Sequence, residues 1–307
     1  MGKKDEIIKR IAKHWDQVAS KPGLTRTRWW NSDQVNQHIN RLISGHNSSG
    51  FGDGLLKLVQ KKAQGRIFES GISVGCGLAS KELRILQTGL VKSFDLYEFS
   101  SRRIAAAQQK ATELGLADRV TFHQKDALQE VNEQRYDFVH WDNSLHHMLD
   151  VDQAIRWSHN ILQAGGMFYL NDFVGPSRFQ WSDASLELAG RIRSLLPPAY
   201  LKNPHKPEEQ VSLSMNRPTP EIMDQDPSEA AQSEQIFESL LRYFPDAEIK
   251  KTGGTVYHLP LNDILHNFDE NDATDTALLS LLLLIDELCI QIPKYDNHYA
   301  TAIAIKN

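Results

Sequence analysis

The sequence predicts an α/β protein on a doubly wound, mostly parallel sheet with helices on both faces, preceded by an N-terminal helical arm and interrupted by helical insertions. Three observations carry this. Strand and helix patterns alternate from residue 66 onward, a Gly75-Cys76-Gly77 turn joins the first strand to a helix, and polar residues recur where successive strands end.

Before the alternation, residues 5–19 and 32–43 carry apolar side chains at helical spacing: Ile7, Ile8, Ile11 and Trp15, then Val35, Ile39, Leu42 and Ile43. TRTRWW lies between them, so residues 1–50 read as a helical arm and a candidate lid. The turn-rich GHNSSGFGDG leads to a short amphipathic helix at 55–63, and residues 51–307 read as the main domain.

The first strand lies in RIFESGISVGCGLASKE, residues 66–82. Gly75 and Gly77 let the backbone take positive φ and approach a ligand, while the next helix, at 81–87, aims free N–H groups at the same place. Then come the strand VKSFDLYEF, a helix at 101–114 ended by Gly115, and strands at 120–124 and 136–141. Asp150 and Gln153 form a capping-box start for a helix at 151–162, which Gly165-Gly166 is expected to close before a fifth strand at 167–170.

Prolines punctuate residues 175–227, leaving one convincing helix at 185–195. Long insertions of this kind serve as lids or binding loops, so this stretch reads as a substrate cap. A helix at 228–243 and a strand at 247–251 resume the pattern. A second insertion, 259–293, holds expected helices near 261–268 and at 274–291, and a seventh strand closes the chain at 299–305.

A net charge of −5 with 24% charged residues gives no global basic field, which argues against a dedicated nucleic-acid binder. The first thirty residues are locally basic through Lys3, Lys4, Lys9, Arg10, Lys13, Lys21, Arg26 and Arg28. Two separated cysteines, Cys76 and Cys289, suggest no disulfide framework. The start lacks a signal-peptide core, and the apolar run 277–285 stops at Asp286-Glu287, too short for a bilayer. A cytoplasmic protein without a membrane partner is expected; a homodimer is left open.

In a doubly wound sheet the ligand sits beyond the carboxyl ends of the strands. Glu98 closes the second strand about twenty residues after Gly77, where an acid grips a cofactor ribose. Asp126 closes the third, Asp142-Asn143 the fourth and Asn171-Asp172 the fifth.

SVGCG, LYEFSSRRIAAA, QKDAL, YDFVHWDNSLHHM and ILQAGGMFYLND together resemble the successive motifs of class I S-adenosylmethionine-dependent methyltransferases, over about residues 55–173. The resemblance implies a seven-stranded sheet, S-adenosylmethionine as cofactor and S-adenosylhomocysteine as product. It puts Gly75 and Gly77 against the methionine portion and ribose, Glu98 on the ribose hydroxyls, Phe99 beside the adenine, and Asp126 with Ala127 at the adenine edge. Asp142, Asn143 and His146 would line the wall between cofactor and acceptor. Two positions depart from the family pattern. Ser73, kept in the cofactor-binding set, stands where an acid is usual, with Glu82 just after as in some members that read SVGCG, and Ala79 replaces the third small residue.

A sulfonium methyl is already electrophilic, so such an enzyme mainly aligns donor and acceptor and excludes water. His146 is the expected general base for a hydroxyl acceptor, with His147 and His140 as alternatives. Asp142 with Asn171 and Asp172 resembles an oxygen set that places Mg²⁺ in some O-methyltransferases, but the Asn-Asp order is reversed, so no metal ligand is assigned and Mg²⁺ is left open as the less favoured alternative. No Asn-Pro-Pro-Tyr-type motif follows the fourth strand, which argues against base- and amide-nitrogen methylation. The expected acceptor is a small or mid-sized molecule, a sugar or glycan hydroxyl or a secondary metabolite, on which Trp29, Trp30, Phe179 and Trp181 could stack. Two rival readings are a nicotinamide-dependent dehydrogenase, whose fingerprint needs glycine where Ser80 stands, and a methyltransferase-like scaffold that has lost its chemistry.

Overall fold

The computed structural model describes residues 10–11, 13–16, 28–131, 133 and 135–307. Most of the arm's expected first helix, with Lys3, Lys4, Lys9, Lys21 and Arg26, lies outside them; residues 13–16 are helical.

Helices α1 (Asp33–Ser44) and α2 (Asp53–Ala63) lead into β1 (Phe68–Val74), α3 (Ser80–Gln87), β2 (Val91–Tyr97), α4 (Ser101–Glu113) and β3 (Val120–His123). β4 (Tyr136–Asp142), α5 (Val151–Ile161), β5 (Leu162–Phe173) and α6 (Asp183–Leu195) follow, then α7 (Ile236–Tyr243), β6 (Glu248–Gly253), α8 (Ala273–Ile290) and β7 (Tyr299–Ile305). The seven strands form one sheet in the order β3-β2-β1-β4-β5-β7-β6. All neighbours pair parallel except β7, which runs antiparallel to β5 and β6. Chain order reverses between β1 and β4, and that switch opens a crevice beyond their carboxyl ends.

Both faces of the sheet are covered. On one, Ile155 and Ile161 of α5 and Ile236 and Leu240 of α7 pack on Ile72, Val139 and Phe168. On the other, Leu55 and Leu58 of α2, Leu83 and Leu86 of α3 and Ala107 of α4 pack on Phe68, Phe94 and Phe138. Each fully buried Leu or Ile contributes about 1.5–3 kcal/mol, so two apolar faces are what keep the sheet enclosed. A third core belongs to the insertions, where Ile192, Tyr257, Leu261, Leu279 and Leu283 surround Trp29.

Three expected elements differ. Gly165-Gly166 does not close α5; Leu162 takes extended angles and begins β5 at once, and the glycines fall inside that strand where its register on β4 shifts. The helix expected at 228–243 starts only at Ile236, because the preceding backbone is bonded elsewhere: Ala230 (φ 47°) accepts from Arg178 N at 2.6 Å and Ala231 N donates to His146 O at 3.3 Å. Near 261–268 only the 3₁₀ turn Leu265–Asn267 forms. The Arg193 guanidinium takes the carbonyls of Pro260 and Asn262 at 2.9 and 3.0 Å, oxygens a helix would have needed.

Candidate active site

The glycine turn beyond β1 is bent back onto β2, with Gly75 N and Cys76 N donating to Tyr97 O at 2.8 and 3.2 Å. Gly75 has φ 69° and Gly77 φ 57°. A Cβ on Gly75 would meet the Ser144 Cβ at 2.9 Å, so the loops after β1 and β4 approach closely only because the side chain is absent. Glu98, 6% exposed, accepts from Gly77 N at 2.9 Å and from Ser100 N at 2.8 Å, tying the turn to the start of α4. Asp126 accepts from Leu128 N at 3.1 Å and Gln129 Nε2 at 2.9 Å, capping the short helix Ala127–Glu130.

Above these residues is a cavity of about 190 Å³ with Gly75, Glu98, Phe99, Asp126, Ala127 and Asn143 in its wall. Trp15 and Arg103 also border it, the guanidinium lying 4.2 Å from the Trp15 ring. Of the other sequence-predicted binding residues, Gly77 is held behind Glu98, while Ser73 and Asp142 face inward. Ser73 Oγ donates to Glu82 Oε1 at 2.7 Å, and His140 Nδ1 lies 3.1 Å from both. Asp142 accepts from Lys81, from Tyr169 OH at 3.0 Å and from the amides of Asn143 and Asn171 at 3.0 and 3.1 Å.

A second cavity of about 710 Å³ adjoins the first, and Trp15, Asn143 and His147 border both. Its aromatic walls include Trp29, Trp30, Phe51, Phe179, Trp181 and Tyr299. Trp29 is 5% exposed and docks on Phe51, Tyr257 and Tyr299; Trp30 is 45% exposed.

His146, His147, Asp226 and Glu229 are among the polar residues of this second wall. The Nδ1–H of His146 donates to Asp172, whose carboxylate also accepts from Leu145 N at 2.7 Å, Phe173 N at 2.8 Å and Ser144 N at 3.0 Å. That leaves His146 Nε2 pointing forward, 3.5 Å from Glu229 Oε1. Burial alone would lower the His146 pKa, but the Asp172 and Glu229 carboxylates reverse this and raise it to about 10. Burial and then the His146 charge push His147 down to about 4. Glu229, which burial alone would raise, is drawn down to about 2, first by His147 and then by His146. His140, the third base candidate, is fully buried beneath Ser73, outside both cavities.

The oxygen set considered for Mg²⁺ is divided. Asp142 and Asn171 face one another and are filled with donors, whereas Asp172 serves His146 and the backbone beside it. Glu229, Asp226 and Arg103 carry no sequence signal as site residues. Asp226 lies at the end of the proline-rich cap and Glu229 just after it, and 83 residues separate Glu229 from His146 in the chain.

A family model described as a methyltransferase domain matches residues 70–238, more than half of the chain. The chain belongs to this methyltransferase family. Its cofactor is S-adenosylmethionine, and the dehydrogenase reading is set aside. The methyltransferase is similar to 27-O-demethylrifamycin SV methyltransferase of Amycolatopsis mediterranei (strain S699), with 29% identity over 104 residues, 34% of this chain and 38% of the relative. This chain thus matches well under half of that curated relative's length. Among solved structures it shares its fold with a geranyl diphosphate methyltransferase in complex with GPP and sinefungin, at TM-score 0.56 and 10% identity over 98% of this chain and 100% of that one. It also shares its fold with Haemonchus contortus phosphoethanolamine N-methyltransferase 2 in complex with S-adenosyl-L-methionine, at TM-score 0.51 and 15% identity, covering 94% and 60% of the two chains. Among the described residues, no helix is long and apolar enough to cross a membrane.

The smaller cavity fits the cofactor in chemical character. A close-approach glycine, a buried carboxylate and an aromatic side chain at Phe99 meet at the switch in strand order.

Proposed function

We propose that this methyltransferase transfers the methyl group to a hydroxyl of a small or mid-sized, ring-bearing acceptor, of the sugar, glycan or secondary-metabolite kind, held in the larger cavity. The observation that carries this reading is the common border of the two cavities at Asn143 and His147, with His146 and Glu229 on the acceptor side only. When bound, S-adenosylmethionine supplies an electrophilic sulfonium methyl. The remaining task is alignment and exclusion of water, which the aromatic walls serve.

In this reading Gly75, Glu98, Phe99, Asp126, Ala127 and Asn143 hold the cofactor, Gly77 holds Glu98 in place behind it, and Ser73 and Asp142 brace the strand ends beneath it. The acceptor hydroxyl lies beside His146 and Glu229, the Glu229 carboxylate takes its proton, and the His146 imidazolium, fixed by Asp172, steadies the charge. Stacking on the exposed face of Trp30 and on Trp181 orients the acceptor ring. The arm and the 175–227 insertion act as lid and cap. The partial similarity to a protein named for 27-O-demethylrifamycin SV supports a secondary-metabolite acceptor.

The test is an isotope-labelled methyl-transfer assay with S-adenosylmethionine against phenols, glycosides, sugars and amines, with the methylated atom located by NMR. Transfer to oxygen is the expected outcome. Transfer confined to nitrogen or carbon contradicts the hydroxyl assignment, and cofactor binding with no transfer to any acceptor favours the scaffold reading.

A further inference from the structure

We infer that His146, His147 and Glu229 form a site for a divalent first-row transition metal, of the Zn²⁺ type, in the wall of the acceptor cavity. The inference rests on the methyl-transfer reading for its role, and on geometry for its existence. Among the described residues, these three offer ligand atoms that all lie within 4.8 Å of one another. Two imidazoles and a carboxylate suit Zn²⁺ and its neighbours rather than Mg²⁺, which prefers an oxygen shell.

Two further observations point to a cation here. The first is the support behind His146. Its Nδ1–H is given to the buried Asp172, which orients the ring so that Nε2 faces Glu229, and a metal ion there would take the place of the Nε2 proton. A carboxylate behind a ligating imidazole is the usual outer partner of a bound metal. The second is Asp226. It is 5% exposed, and its Oδ1 accepts from Ser228 N at 2.9 Å, but Oδ2 has no hydrogen-bond donor and lies 4.0 Å from His147 Nδ1. Three carboxylates, Asp172, Asp226 and Glu229, therefore surround two histidines with a buried oxygen uncompensated, and a divalent charge at the centre would offset them.

The separation of His146 Nε2 and Glu229 Oε1, 3.5 Å, is already that of two ligands on one tetrahedral ion. A ring nitrogen of His147 lies within 4.8 Å of both. Three protein ligands leave a position open toward the cavity, as catalytic sites of this type do. The acceptor hydroxyl takes that position, where the cation lowers its pKa. The O–H bond would break with its proton leaving to solvent water, an oxygen lone pair would form the new C–O bond, and the S–CH₃ pair would stay on sulfur. His146 is then a ligand, and the proton it would have shared with Glu229 is replaced by the metal.

The test uses the tag-free chain, stripped by chelator and titrated calorimetrically with ZnCl₂ alone, with bound metal counted by elemental analysis. One Zn²⁺ per chain is expected, with Mg²⁺ giving no comparable binding. Glu229→Gln and His146→Gln should each weaken Zn²⁺ binding at least tenfold, whereas His205→Gln, on the exposed cap, should leave it unchanged. Binding of S-adenosylhomocysteine by the Glu229→Gln variant reports that it is folded, because Glu229 does not border the cofactor cavity. Wild-type Zn²⁺ binding no tighter than that of Glu229→Gln, or equally weakened by His205→Gln, overturns the site. S-adenosylhomocysteine binding without Zn²⁺ binding overturns this inference alone, whereas absence of S-adenosylhomocysteine binding overturns the reading that gives the metal its role.

Discussion

Glu82, at the start of α3, accepts a 2.7 Å hydrogen bond from Ser73 on β1. The acid usual at position 73 in the family is thus present in space, delivered from the helix rather than the strand. His140 Nδ1 lies 3.1 Å from Glu82 Oε1, and Glu82 itself is 2% exposed. Burial alone would raise the Glu82 pKa; His140 and Ser73 hold it below its ordinary value near 4.5.

A carboxyl lowered on folding stabilises the protein above its unfolded pKa, and the contribution is lost as pH falls through the folded value. Glu82→Gln should therefore destabilise by about 3 kcal/mol at neutral pH and flatten the acid limb of a Tm-against-pH curve. Ser73→Asp, which sets a second buried carboxyl against Glu82, should also destabilise and should not tighten cofactor binding. Thermal unfolding between pH 3 and pH 8 checks both.

Gly75→Ala should weaken S-adenosylhomocysteine binding at least tenfold and lower stability by about 1–3 kcal/mol, through positive φ together with the clash on Ser144. Gly89 shares the positive φ, 74°, but a Cβ there meets nothing within 4 Å. Gly89→Ala should show the strain without the loss of binding, and calorimetry on the two variants separates the effects.

Glu98→Gln removes the charge that two backbone N–H groups share. A hydrogen bond to a charged group is worth about 1.5–3 kcal/mol, so cofactor affinity should fall roughly ten- to a hundredfold. Unfolding stability should change by less than the loss in binding, because the amide oxygen still accepts one of the two bonds.

Trp29→Ala should destabilise by about 3–5 kcal/mol, since it empties a site packed by Phe51, Tyr257 and Tyr299. Trp30→Ala should leave Tm nearly unchanged yet raise KM for a ring-bearing acceptor. A common effect of both on stability would assign Trp30 to docking rather than to the acceptor.

The sheet was legible because its cues are local. Alternating patterns mark each strand, the glycine turn marks the switch, and Glu98 and Asp126 sit where strands end. What escaped the sequence depends on contacts between distant residues. No local pattern says that Asp226 and Glu229 return to the loop after β4, or that Arg193 captures carbonyls near residue 261 and stops a helix there. Gly165-Gly166 shows the limit of a good local cue: a glycine pair after a helical pattern reads as a stop, but the helix ends at Ile161 and the pair falls inside β5. Ser73 shows the converse, since a missing acid in the line of the chain was supplied by Glu82 from an adjacent element.

The most direct measurement is a calorimetric titration of the purified chain with S-adenosylhomocysteine, using NADH as the comparison ligand and Glu98→Gln and Gly75→Ala as variants. Saturable binding of one S-adenosylhomocysteine per chain, none of NADH, and clear weakening in both variants are expected. Failure of the wild type to bind, or binding that neither substitution disturbs, would contradict the assignment of the cofactor to the cleft above the glycine turn.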